Sequence, residues 1–301
     1  MSVSFKPKVF LRPETKAEFS LQLREFGEKA RIIAGGTGIY EIAHRGLISD
    51  VEALIDISGL GLSYVMEEPS RLKIGAATTM STMWNSVELT RHRELSAVTD
   101  ALKAIQPLQV KNVATIAGAI CTALPFFDLP VALLCLDARA EIFPDGKKTE
   151  LSEFLKGYFS IELESGEFVQ EIEIPLHNIE AKCSSAFQKF SLTGDDWAII
   201  NCAASIVLDD LGKIIGSNIV FGGGVGEKPV RATKTEAELK GLDRKDEASV
   251  GRIFEESLPK EIEPISDIRS SAEYRIRLAK VLGRRTVMTA CNRIISDGDK
   301  N

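Results

Sequence analysis

Two runs of small residues are the parts of this sequence best suited to holding a charged ligand. The first is Ile32-Ile33-Ala34-Gly35-Gly36-Thr37-Gly38-Ile39. It follows a short apolar segment and can open a helix. Glycines let the backbone come close to a phosphate, and free N–H groups at a helix start attract anions. The Thr37 hydroxyl adds a donor. No Gly-Lys-Ser/Thr follows, so the run is not a P-loop. It does not read G-x-G-x-x-G, which disfavours a Rossmann dinucleotide site. Taken alone the run is weak support for a ligand, because glycine pairs commonly serve turn geometry. The second run is Thr115-Ile116-Ala117-Gly118-Ala119-Ile120-Cys121. Small side chains bring two backbones, or a backbone and a ligand, close together. Asp128 follows, ahead of an apolar helix. It can act as an N-cap or accept a hydrogen bond from a sugar hydroxyl.

Other chemistry is harder to find. No acid–base pair or nucleophile stands out, so no catalytic residue is assigned. His44, His92 and His177 are isolated, and a ligand histidine needs partners at suitable spacing. The five cysteines, Cys121, Cys135, Cys183, Cys202 and Cys291, form no C-x-x-C pair. Zinc and iron–sulfur sites usually need such spacing, so no metal site is expected. Cys121 lies inside the second run and reads as a packed small residue, since no activating charge is evident. Gly222-Gly223-Gly224 opens no helix and reads as structural. Arg269, Arg275, Arg277, Arg284 and Arg285 read first as surface and salt-bridge residues.

The elements that position these runs follow from patterning. Thr15-Lys16-Ala17-Glu18 reads as a capping box opening a helix that stops at Gly27. Strands are expected at Arg31–Ala34 and Ala53–Ile57, a hairpin at Leu62–Val65 with Leu72–Ile74, and a helix at Met80–Leu89. A buried helix is expected at Leu129–Leu136, and strands at Ala138–Phe143 and Phe168–Ile174. The polar stretch from Leu176 to Ala181 reads as a domain boundary, giving domains 1–177 and 182–297. Beyond it come strands at Ser185–Phe190, Ala198–Leu208 and Lys213–Phe221. Helices follow at Thr235–Leu239, Ala248–Ser257 and Ala272–Ile295. Strands then helices read as α+β.

With 301 residues, 44% of them hydrophobic, the chain can bury about two domain cores. A net charge of −6 and no basic stripe argue against nucleic acid as a partner. The apolar runs are far shorter than the ~20 residues of a membrane span. No signal peptide is evident, so a cytoplasmic location is expected.

The two runs together resemble the FAD-binding medium subunits of the molybdenum hydroxylases, the group of xanthine dehydrogenase, aerobic carbon monoxide dehydrogenase and aldehyde oxidoreductase. That family reads Ala-Gly-Gly-Thr-(Asp/Asn)-Leu at the first run. At the second it reads Thr-Ile-Gly-Gly-Asn-Ile, then Pro-x-x-Asp-x-x-Pro, for which the counterpart here is Pro125 to Asp128. Leu11-Arg12-Pro13-Glu14-Thr15, Gly166-Glu167-Phe168-Val169, Phe187-Gln188-Lys189, Asp195-Asp196-Trp197-Ala198 and Asp267 to Arg275 are similar to further family segments. The ordered set spans nearly the whole chain.

The resemblance implies an FAD-binding domain of the vanillyl-alcohol oxidase type, followed by a small three-stranded sheet with helices. FAD would lie with its pyrophosphate against Ala34–Gly38 and Thr115–Ala119, with Ile32, Ile33, Ile39 and Cys121 beside them. Asp128 would hold ribityl or ribose hydroxyls. Ile172 and Lys189, and more loosely Tyr158, Ile161 and Leu163, would stand near the isoalloxazine. Partners would be a small subunit with two [2Fe–2S] clusters and a large subunit with the molybdenum cofactor, in a dimer of heterotrimers. Electrons would pass from the clusters through FAD to a quinone, oxygen, NAD or a carrier protein. Ala117, Ala119 and Gly38 depart from the family pattern and remove expected contacts. They leave open a flavin-poor assembly subunit, beside a free-standing FAD-dependent oxidoreductase.

Overall fold

The computed structural model describes residues 5–46, 48, 50–176 and 182–295. His177, the rest of the expected boundary up to Ala181, and the last two residues of the expected second domain lie outside them. In the N-terminal half, β1 (Val9–Leu11), α1 (Lys16–Phe26), β2 (Ala30–Ile33), α2 (Thr37–His44) and β3 (Ala53–Asp56) come first. They form a parallel sheet of order β1-β3-β2, with α2 as the crossover from β2 to β3. Thr15 caps α1 by accepting from the Glu18 N–H at 3.1 Å, while Glu18 reaches back to the N–H of Glu14 rather than that of Thr15.

The hairpin β4 (Val65–Glu68) and β5 (Arg71–Gly75) leads into a helical stretch. The expected single helix at 80–89 is two, α3 (Met80–Trp84) and α4 (Val87–Thr90), because Ser86 caps the second by accepting from the Leu89 N–H. Then come α5 (Ser96–Ala104), α6 (Leu108–Val113), α7 (Ile116–Cys121) and α8 (Asp128–Cys135). The hairpin β6 (Arg139–Phe143) and β7 (Lys147–Glu150), helix α9 (Leu151–Phe154), ribbon β8 (Leu155–Gly157) with β9 (Ser160–Ile161), and β10 (Phe168–Pro175) complete this half. The second sheet runs β4-β5-β10-β6-β7, antiparallel throughout, with Ile172 opposite Ile74 and Ala140.

In the C-terminal half, β11 (Lys182–Phe190), β12 (Ile200–Leu208) and β13 (Ile214–Gly222) form the expected sheet, and a two-residue edge strand, β14 (Val230–Arg231), adds to it. Helices α10 (Thr233–Leu239), α11 (Glu247–Glu256) and α12 (Ala272–Ile295) follow. This sheet is buried on both faces. Phe187, Ala203 and Val220 join the core of the N-terminal half, against α5 and α8, whereas Ala186, Cys202, Ala204 and Phe221 pack under α11 and α12. Alternate residues therefore face different cores. That is why β12 reads as a continuous apolar run and not as an apolar–polar alternation.

Arg275 corrects the surface reading of the last helix. It is fully buried. Its guanidinium donates to the carbonyls of Ile199 and Gly223, and Nη2 lies 2.7 Å from Asp267. The Gly223 N–H in turn donates to the Pro125 carbonyl at 2.8 Å, so the glycine run is a seam between the halves. Removing a buried, paired cation leaves its acceptors stranded. Arg275→Met is expected to cost about 3–5 kcal/mol of stability, seen as a lower urea midpoint by circular dichroism. An unchanged midpoint would show that the seam does not depend on it.

Candidate functional site

The first glycine turn is shaped by close approach. A Cβ on Gly35 would stand 1.7 Å from the carbonyl oxygen of Val113, so only glycine fits against the end of α6. Gly36 adopts φ 74° and is the N-cap of α2, with no side chain capping the helix. The first N–H groups of a helix have no intrahelical partner. Here they are left to a ligand or to water, at the positive end of the helix dipole. Thr37, Gly38 and Ile39 form that first turn. Ile32 and Ala34 lean on the N-terminal core, and the Ile33 side chain lies under Gly36.

The second run is different, because its donors are already engaged. Thr115 caps α7 by accepting from the Gly118 N–H at 3.1 Å. The N–H groups of Ile116, Ala117 and Ala119 donate to the carbonyls of Thr78, Ala76 and Thr115. Ile116, Ala117 and Ala119 are buried in the core. Backbone donors for an anion therefore come from the α2 turn, and the second run supplies a close-packed wall.

Between them lies a cavity of about 260 Å³. Of the residues expected from sequence, Thr37, Gly118, Ala119, Asp128 and Lys189 line it. Asp128 is not an N-cap: α8 begins at Asp128 itself, after Phe127, without a side-chain cap. Its carboxylate instead receives Lys189 Nζ at 2.9 Å and Asn201 Nδ2 at 2.8 Å, both from the C-terminal sheet. Burial pushes the Asp128 carboxyl upward, partly opposed by the Lys189 charge and by hydrogen bonds from Lys189 and Asn201.

Asn201, Trp197, Phe126 and Thr122 were not assigned from sequence. Asn201 interrupts the apolar run of β12, which is the signal that a partner must exist, since buried polar groups need one. Trp197 and Phe126 line the cavity and stack at 5.9 Å between ring centres. The guanidiniums of Arg45 and Arg269 lie over Trp197 and Phe126 at 4.8 and 4.3 Å. Nothing local in the sequence pairs positions so far apart.

Other expected residues are placed elsewhere. Ile172 is fully buried in β10, and Ile161 and Leu163 pack on the N-terminal core. Tyr158 contacts the Phe126 ring at 6.1 Å. Cys121 is half-buried, packs on the core and is not among the residues lining the cavity. His92 bonds Glu67 at 2.8 Å, and His44 stacks on Tyr40. The carboxylates of Glu141, Glu171 and Glu173 converge, but Lys73 lies 2.9 Å from Glu171 and Lys148 lies 2.7 Å from Glu173. Arg71 lies 3.3 Å from Glu173 as well, so three cations balance the three carboxylates.

A parallel sheet feeding an uncapped helix start, closed over by a second mixed domain, defines a two-part cofactor-binding protein. The family models agree. Residues 3–177 match the FAD binding domain in molybdopterin dehydrogenase, and residues 185–290 match the CO dehydrogenase flavoprotein C-terminal domain. This chain belongs to that family of FAD-binding oxidoreductase subunits. It is 28% identical over 276 residues to the 6-hydroxypseudooxynicotine dehydrogenase complex subunit alpha of Paenarthrobacter nicotinovorans, covering 90% of each chain. It is 29% identical over 285 residues to the carbon monoxide dehydrogenase medium chain of Afipia carboxidovorans, covering 93% of this chain and 95% of that one. A structure of carbon monoxide dehydrogenase from Hydrogenophaga pseudoflava superposes with a TM-score of 0.87 at 25% identity, covering 96% of this chain and 98% of that one. The family and fold expected from the motifs are borne out.

Two outcomes test the site's chemistry. Lys189→Met leaves the buried Asp128 carboxylate without its cation and is expected to cost about 3–5 kcal/mol; adding Asp128→Asn restores part of it in urea titrations. Burial pushes the thiols of Cys121 and Cys183 up to about 12 and that of Cys291 up to about 11. Cys135 and Cys202 are shifted in the same direction. At about pH 8, none of the five cysteines should react with Ellman's reagent within minutes unless the chain is unfolded.

Proposed function

We propose that this chain is the electron-transfer subunit of a molybdenum hydroxylase complex, carrying FAD between an iron–sulfur partner and an external acceptor. The observation that carries this reading is the pairing of an uncapped glycine turn with a cavity that holds the buried Asp128–Lys189 pair and an aromatic wall of Trp197 and Phe126. The α2 turn suits the pyrophosphate, because no side chain caps the first N–H groups of that helix. Asp128 suits the sugar hydroxyls, since its two oxygens are fixed from one side by Lys189 and Asn201. Trp197 and Phe126 offer an apolar, aromatic wall. When bound, FAD supplies the redox chemistry, and the protein supplies position, shielding and charge.

The same reading includes a domain division at 1–177 and 182–297, supported by two hydrophobic cores. It includes a small [2Fe–2S] subunit and a large molybdenum subunit as partners, in a dimer of heterotrimers, with a quinone, oxygen, NAD or a carrier protein as acceptor. Relatives named as a medium chain and as a complex subunit support an assembly. No helix among the described residues is long and apolar enough to cross a membrane, and we place the complex in the cytoplasm.

The test is the visible spectrum of the purified chain, with the cofactor identified after denaturation. Flavin bands with about one FAD per chain, bleached on adding the reduced iron–sulfur partner, are expected. A colourless chain that takes up no added FAD would overturn the proposal.

A further inference from the structure

Gly38 stands where the family pattern places Asp or Asn, which removes one side-chain contact from the first turn. The structure shows what occupies that space. A Cβ on Gly38 would stand 2.1 Å from Thr122 Oγ1 and 3.3 Å from Thr122 Cβ. Helix α2 therefore meets the end of α7 with the Thr122 hydroxyl filling the notch beside Gly38. Thr122 is buried and lines the same cavity as Thr37, Gly118 and Asp128.

The hydroxyl is also polarised in one direction. Thr122 Oγ1 donates its proton to the Gly118 carbonyl at 2.7 Å. A hydroxyl has one donor and two acceptor lone pairs, so what it can still offer is acceptance. Phosphate oxygens at neutral pH only accept, and such a group cannot bond them. A sugar hydroxyl can donate to it.

We infer that Thr122 is a cofactor-contacting residue that replaces the missing side chain at position 38. Its Oγ1 fills the space beside Gly38 and accepts a hydrogen bond from a ribityl or ribose hydroxyl of FAD. The inference rests on the proposed FAD site. It also makes Gly38 and Thr122 a matched pair: position 38 cannot gain a side chain while the Thr122 hydroxyl fills the notch.

The test measures FAD affinity of the flavin-stripped full chain by fluorescence titration, with the melting temperature of each flavin-free variant alongside. Thr122→Val keeps the shape and removes the oxygen. It is expected to weaken FAD about 3- to 10-fold, while Thr122→Ser, which keeps the oxygen, stays within about twofold of the wild type. Should the valine variant melt early, Thr122→Ala removes the oxygen without crowding and carries the same expectation. Gly38→Ala should weaken FAD and lower the melting temperature. Gly38→Ala with Thr122→Ala should lose less than the product of the two single effects. Competition with ADP separates the sources: a loss shared by ADP assigns the ribose, and a loss confined to FAD assigns the ribityl chain. FAD affinity unchanged in Thr122→Val and Thr122→Ala, or single effects that multiply, would overturn the inference. A wild-type chain that binds no FAD would instead fail the functional proposal beneath it.

Discussion

The buried Asp128 carboxylate is the constraint on which the site depends. It sits at the first residue of α8, in the N-terminal half, yet its partners Lys189 and Asn201 belong to β11 and β12. A carboxylate taken out of water needs a cation and hydrogen bonds, or it becomes a net cost. Satisfying it therefore fixes the C-terminal sheet against α8 and closes the cavity floor. The Gly223–Pro125 hydrogen bond and the Arg275 clamp hold the same seam from behind. A contact between two halves is thus also a wall of the binding site.

The two glycine-rich runs divide their labour by how their N–H groups are used. In the second run, Thr115 caps its own helix and neighbouring carbonyls take the other donors. The alanines at 117 and 119 are tolerated there because the run serves packing, and a methyl group fits a core. In the first run nothing caps α2, and Gly35 brings the backbone against Val113. Anion affinity is concentrated at one turn. Glu41, which lines the cavity on that same helix, is paired with Arg45 at 2.6 Å, which tempers its repulsion of a diphosphate.

This arrangement suits a subunit that holds a redox cofactor and leaves substrate chemistry to others. The buried polar side chains at the cavity serve one another and the seam between the halves. Lys189, the basic residue among those lining the cavity, is committed to Asp128. The thiols are raised by burial and suited to packing. The buried charges at the cavity, Asp128 and Lys189, satisfy each other, which fits the protein's supporting part in cofactor chemistry.

The sequence by itself determined the elements and the family. Capping residues, apolar periodicity and turn residues are local signals, and they placed most strands, α1, the last helix Ala272–Ile295, and the two runs that carry the resemblance. It also placed Thr37, Gly118, Ala119, Asp128 and Lys189 at the site, through motif order. The tertiary structure decided what each polar group does. Asp128 reads equally as a cap or a ligand group until Lys189 and Asn201 arrive from 61 and 73 residues away. Ile172 and Cys121 go to the core, and Arg275 goes from an expected surface to full burial, because partners distant in sequence supply their surroundings. Gly38 looks like a loss in sequence and becomes a fit only when Thr122 is seen against it. Local propensity is written in neighbouring residues, whereas satisfaction of a buried donor, acceptor or gap is a property of whatever the fold brings beside it.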